Sequence, residues 1–229
     1  MIENPWILLG AFPLAAYGIG STPFGVILSR ARGVDIRKAG SGNVGATNVG
    51  RVLGRRWGWL CFALDVLKGF APALAVSFLA GCDAGGPTTL QQAAWLAVGA
   101  GAILGHVLSF WLGFRGGKGV ATALGVVLGL YPYFTFAGLA ALGVWIAVTL
   151  ASRYVSLGSI VAAGAFLAFF VGFNWAFWGL SPARLWPLVV FCAVIVALIL
   201  FRHRTNISRL LAGTENKIGA AKKQTKTPA

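Results

Sequence analysis

Acidic side chains are scarce in this chain: five Asp and Glu stand against 19 Lys and Arg in 229 residues, a net charge of +14. Charged residues of both signs make up only 10%, too few to solvate the surface of a soluble domain of this size. Cysteine is equally sparse. Cys61, Cys82 and Cys192 have no metal-ligand spacing, and two of them sit inside apolar runs, so neither a disulfide nor a zinc site is expected. There is no basic region ahead of the first apolar run and no convincing cleavage site behind it, so that run is expected to be a retained span rather than a leader. The excess of cations invites a nucleic-acid partner, but the basic residues lie between apolar runs, where membrane topology accounts for them. No nucleic-acid partner is expected.

What the chain has instead is apolar length. At 58% hydrophobic residues it predicts an all-α integral membrane protein with seven spans: Trp6 to Leu28, Trp57 to Ala80, Gln92 to Leu112, Val120 to Leu130, Tyr133 to Ala151, Gly158 to Leu180 and Trp186 to Phe201. Residues 1–217 read as a single polytopic domain and 218–229 as a disordered basic tail. With the N-terminus outside and the C-terminus cytoplasmic, 17 of the 19 cations fall on the inner side. Inside-positive bias on that scale fixes the orientation. Asp65 and Lys68, three residues apart within the second span, fall on one helix face and are expected to satisfy each other toward the bundle, in preference to a direct role at a substrate. The step from Gly101 to Gly105 suits close helix packing.

Three polar segments face the cytoplasm in this topology. The first, Gly40-Ser-Gly-Asn-Val-Gly-Ala-Thr-Asn-Val-Gly-Arg51, combines glycines that let a backbone approach a ligand with neutral hydrogen-bonding groups and a terminal planar cation. Taken alone, a solvated interhelical loop would read the same way. The second, Gly113-Phe-Arg-Gly-Gly-Lys-Gly119, runs straight into a helix, placing free N–H groups and a positive dipole end beside Lys118. It is not a Walker A loop, because Leu112 and Gly119 stand where that pattern needs Gly and Ser or Thr. The third, Arg202 to Glu215, sets His203 and Asn206 one turn apart in a short juxtamembrane helix ended by Gly213. Part of it serves equally well as a basic anchor at anionic headgroups. His106 lies just ahead of the second segment, where a packed histidine and a working one both fit.

Only Asp35 and Glu215 are acids on that face, which argues against a metal-dependent phosphoryl-transfer site. Nor is there a Gly-x-Ser-x-Gly elbow, or an aspartate five residues after either histidine. Such a face is built to hold anions, phosphates above all, beside lipid tails.

In their order and wording, the first segment, Gly105-His106 with Phe114-Arg-Gly-Gly-Lys-Gly-Val-Ala-Thr122, and Arg202-His-Arg-Thr-Asn-Ile-Ser-Arg-Leu-Leu-Ala-Gly-Thr-Glu215 resemble the three signature segments of the PlsY family, the bacterial acyl-phosphate:glycerol-3-phosphate acyltransferases. The resemblance runs on through Leu64-Asp-Val-Leu-Lys-Gly69 and Arg153-Tyr-Val-Ser-Leu157 to cover nearly the whole chain. It implies a seven-helix enzyme of the bacterial cytoplasmic membrane, its site facing the cytoplasm, that moves a fatty acyl group from acyl phosphate to glycerol 3-phosphate, giving lysophosphatidic acid and phosphate. No cofactor and no metal are implied, because a mixed anhydride already carries a good leaving group.

In that picture Lys118, His203 and Asn206 are the catalytic candidates. Ser41, Gly42, Asn43, Thr47, Arg51, His106, Gly116, Gly117, Gly119, Ser156 and Arg209 are the substrate-binding ones, with the backbone of residues 116–119 holding one of the two phosphates. The base is either a substrate phosphate, whose second pKa is near 6, or His203. The alternative from another class is a transporter for a phosphorylated or lipid-like anion, which would prefer midplane polar residues and repeated halves. A third, a membrane scaffold with a basic tail, leaves the three segments unexplained.

Overall fold

The computed structural model describes residues 2–81 and 86–218, and the regular elements there are helices. In chain order they are α1 (Phe12–Ser21, entered through a π-helical turn Ile7–Ala11), α2 (Phe24–Arg30), α3 (Ala46–Leu53), α4 (Arg55–Ala80) and α5 (Thr89–Val107). The second half adds α6 (Val120–Gly129), α7 (Thr135–Ser152), α8 (Val155–Trp178), α9 (Trp186–Arg202) and α10 (Arg204–Leu211). Asp83 of the expected outer loop and residues 219–229 of the expected basic tail lie outside the described residues.

All seven apolar runs are helical, but they are not equivalent. Five have the length and composition to cross a membrane, and α9 joins them only together with α10, from which it is bent by 58°. At ten residues α6 is about 15 Å long, roughly half a hydrocarbon core of about 30 Å. Pro13 enters the first turn of α1 without breaking it, whereas Pro23 interrupts the first span between α1 and α2. Lys68 Nζ donates to the Thr22 carbonyl at 2.8 Å beside that interruption. The loop expected at Ser152 to Leu157 shrinks to Arg153 and Tyr154, and Ser156 lies in the first turn of α8.

Small residues set the helix spacing. A Cβ on Gly101 or Gly105 would strike the Pro13 or Tyr17 carbonyl, so α1 and α5 cross backbone to backbone, the packing anticipated for this pair of glycines. Gly125 and Gly129 do the same for α6 against Val66 and Phe70 of α4. The main apolar core, with Trp95, Phe134, Phe170 and Leu188, lies among these helices. A second nucleus of Val26, Ile36, Val44, Val49 and Cys61 sits under the polar loop between α2 and α3. Cys61 and Cys192 are buried free thiols.

Candidate functional site

The loop from Ala39 to Gly45 is held by one amide. Asn48, 1% exposed, accepts the Ser41 N–H through Oδ1 at 2.8 Å and donates Nδ2 to the carbonyls of Ala39 (3.0 Å) and Asn43 (2.9 Å). Asn43 Oδ1 takes the Gly45 N–H at 2.9 Å, turning the chain into α3. Gly40, at φ 61°, must be glycine twice over: the backbone is left-handed, and a Cβ would collide with Asn48 Oδ1. The result is a rigid turn on its own apolar nucleus, with Ser41, Asn43, Thr47 and Arg51 on a shared cavity wall.

The second segment is pinned from both sides. Gly116 N–H donates to the Val107 carbonyl at 3.0 Å and Gly117 N–H to the His106 carbonyl at 3.1 Å, capping the end of α5. Arg202 Nη2, at the end of α9, donates to the carbonyls of Gly116 and Gly117 at 2.9 and 2.8 Å. Both glycines also lie against His106, since a Cβ on Gly116 would strike its carbonyl and one on Gly117 its Nε2. This narrows the expectation that the backbone of residues 116–119 holds a phosphate. The N–H groups of Gly116 and Gly117 are committed to α5, and what the loop presents to the cavity is Lys118, Gly119 and the start of α6.

The third segment bends at His203, whose Nδ1 lies 2.8 Å from the Ile199 carbonyl. A carbonyl only accepts, so the proton is on Nδ1. Asn206 accepts from Lys118 Nζ through Oδ1 and donates Nδ2 to Glu215 Oε1 at 2.7 Å. The same Oε1 takes the Ser156 hydroxyl at 2.9 Å, and Oε2 takes Arg209 Nε at 2.6 Å. Past Glu215 the chain lies along the start of α8, with Lys217 over the Tyr154 ring and the Ile218 N–H on the Arg153 carbonyl at 2.8 Å.

These segments enclose a cavity of about 240 Å³. Its polar wall includes Arg51, Lys118 and Arg209, and its apolar wall includes Phe62, Trp145 and Val155. Phe62 and Trp145 stack at 6.2 Å, and the Trp145 indole donates to Ser159 at 3.2 Å. Burial pushes the Lys118 ammonium down to about 8; Glu215 opposes that shift, while Arg209, Arg202 and Arg51 add to it. Burial raises Glu215, but hydrogen bonds from Asn206, Arg209 and Ser156 outweigh it and keep the carboxyl below its ordinary range.

Of the residues singled out from sequence, Ser41, Asn43, Thr47, Arg51, His106, Lys118, Gly119, Ser156, His203, Asn206 and Arg209 line this one cavity. Gly42, Gly116 and Gly117 do not; they shape the turns that present the others. Glu215, its side chain 7% exposed, was read only as an available acid, yet it ties three of the site residues together. Its place at the end of a polar segment was the one available signal. Asp65 also reaches the cavity, from within α4.

The family profile described as glycerol-3-phosphate acyltransferase matches residues 10–213. The glycerol-3-phosphate acyltransferase of Geobacter sulfurreducens is 45% identical over 207 residues, covering 90% of this chain and 95% of that one. That of Aquifex aeolicus is 44% identical over 209 residues, covering 88% and 95%. Two crystal structures of PlsY, an integral membrane glycerol 3-phosphate acyltransferase, share 41% identity and cover 91% of this chain and 94% of theirs. The glycerol 3-phosphate form superposes with a TM-score of 0.77 and the lysophosphatidic acid form with 0.74.

Proposed function

The chain belongs to the glycerol-3-phosphate acyltransferase family, and from that premise we propose that its cavity transfers a fatty acyl group from acyl phosphate to glycerol 3-phosphate. It is a multi-pass membrane acyltransferase of phospholipid synthesis. One observation supports the choice of donor. Arg51, Lys118 and Arg209 converge around Glu215, while Asp65, also on the cavity, is paired with Lys68, and the opposite wall is aromatic. Such a site suits two phosphates and a tail.

The glycerol hydroxyl attacks the acyl carbonyl, the carbonyl oxygen takes up negative charge, and the bond to the phosphate oxygen breaks. The hydroxyl proton ends on a phosphate, which needs no protein base if a dianionic substrate phosphate accepts it. Arg51, Lys118 and Arg209 offset the charge of two head groups brought together in a partly dry site. Ser41, Asn43, Thr47 and Ser156 supply orienting hydrogen bonds. Asn206 aims the Lys118 ammonium, and Gly116 and Gly117 fix the base of the loop that carries it. His203, with its proton on Nδ1, has Nε2 left to accept the hydroxyl proton and is the competing base.

The membrane is the bacterial cytoplasmic membrane, with the N-terminus outside and the cavity facing the cytoplasm. Counted as one of seven crossings, α6 is short, and the loop that feeds it puts Lys118 on the same cavity as Phe62 and Trp145, past which a tail would enter.

The test is acyl transfer by the purified protein in lipid, with chelator, offering palmitoyl phosphate or palmitoyl thioester with labelled glycerol 3-phosphate. Lysophosphatidate from the phosphate donor alone is expected. Product only from the thioester, or movement of glycerol phosphate across the bilayer without acylation, contradicts the proposal.

A further inference from the structure

Behind the cavity lies a second cluster. Asp65 Oδ1 is 2.8 Å from Lys68 Nζ and 3.6 Å from His106 Nδ1, and Cys61 Sγ is 3.7 Å from Oδ2. All four residues are buried, at 7% exposure or less. Lys68 is already satisfied by Asp65 and the Thr22 carbonyl. An ion pair that only had to orient α4 would need no third member. His106 is that third member, and with Asp65 it carries the cluster to the cavity wall.

The imidazole spans the two sites. Its Nδ1 edge faces the carboxylate and its Nε2 edge lies against Gly117, one residue before Lys118. A negative oxygen beside Nδ1 favours the tautomer with its proton there. Besides Asp65, the charged groups around this ring are Lys68 from α4, and Lys118, Arg51, Arg209 and Glu215 across the cavity. We propose that Asp65 is a positioning residue: it holds His106 with Nδ1 protonated, so that Nε2 sits against Gly117 and the ring supports the loop that carries Lys118 at the anion site. Lys68, 2.8 Å from Asp65, supplies the opposite charge that a carboxylate within the membrane needs. The inference rests on the acyl-transfer reading of the cavity, but it can be tested without turnover.

The direct measurement is ¹⁵N NMR of histidine-labelled intact protein in lipid, with the two histidines assigned by His203→Gln. His106 is expected protonated at Nδ1 across neutral pH. A neutral ring with its proton on Nε2 would overturn the proposal, whatever the protein's activity.

The kinetic test removes the carboxylate without stranding a charge. Asp65→Asn/Lys68→Met should remain folded, judged by size exclusion and thermal midpoint, and lose about 10- to 100-fold in kcat/KM for glycerol 3-phosphate, the usual size when the carboxylate behind an oriented imidazole is lost. In a His106→Gln background the same pair of substitutions should cost less than about threefold more, because Asp65 acts through the ring. Losses that multiply independently of His106, or full activity in Asp65→Asn/Lys68→Met, would reduce Asp65 and Lys68 to a structural pair. Should these variants fail to fold, the tautomer measurement decides. Failure of the acyl-transfer reading is separate, and would show as no transfer by the unmodified protein.

Discussion

Two polar clusters lie side by side in this protein, and they handle charge in opposite ways. Around Asp65 and Lys68 one acid meets one base at 2.8 Å inside α4, both 3% exposed, and the cluster can stay within the membrane permanently. Around Lys118 the cations Arg51, Arg202 and Arg209 outnumber the single carboxylate of Glu215, and burial works against the ammonium. Balanced charge can be sealed away. Unbalanced charge beside an open cavity is a site awaiting an anion, and a protein has little other reason to keep it.

The sharpest way to break the comparison is to unbalance the balanced cluster. Lys68→Met leaves Asp65 buried and without its closest partner, and should cost about 3–5 kcal/mol of stability, read as a lowered thermal midpoint in detergent. An unchanged midpoint would mean that Asp65 is neutral. Taking charge from the cavity should spare the fold instead. Lys118→Ala should reduce acyl transfer by about 100- to 1,000-fold, the effect of losing one preorganised charge-stabilising group, with little change in melting. Comparable losses of fold and activity would merge the two clusters into one structural core. Asn48→Ala tests the turn that presents Arg51; unsatisfied backbone groups should cost about 1–3 kcal/mol and raise KM for glycerol 3-phosphate. A KM unchanged in that variant would detach the turn from substrate binding.

The smallest effect is the most specific. Glu215 favours the charged form of Lys118, so Glu215→Gln should lower the Lys118 pKa further and move the alkaline limb of kcat/KM to lower pH than in the unmodified protein. A limb shifted upward would contradict the arrangement.

Much of this was legible in the sequence, for a physical reason. Glycine, serine and asparagine runs cannot sit in hydrocarbon, so the three polar segments stand out against apolar helices, and cation counts place them on one face. Asp65 and Lys68 were readable as a pair because three residues on a helix fix a shared face. What spacing cannot carry is contact between segments. Nothing local to Glu215 shows that Ser156, 59 residues away, shares its Oε1. Nor does a glycine loop reveal whether its N–H groups are free: those of Gly116 and Gly117 close the end of α5, and only the packing on His106 shows why both are glycine. The short α6 was legible as well: the run read as Val120 to Leu130 is the helix Val120–Gly129, because Gly119 ahead of it and Tyr131-Pro132 behind it bound the apolar stretch.

The central claim is that the positive charge of the cavity, carried chiefly by a buried Lys118, is what holds the substrate. Calorimetric titration of glycerol 3-phosphate into the protein in lipid, from about pH 7 to 10, tests it most directly. The lysine binds anion in its charged form, so affinity should hold below about 8 and then fall toward tenfold per pH unit as the free ammonium titrates. Lys118→Met should bind weakly and lose that slope. The same slope in both proteins would contradict the account, because the titrating group would then not be Lys118.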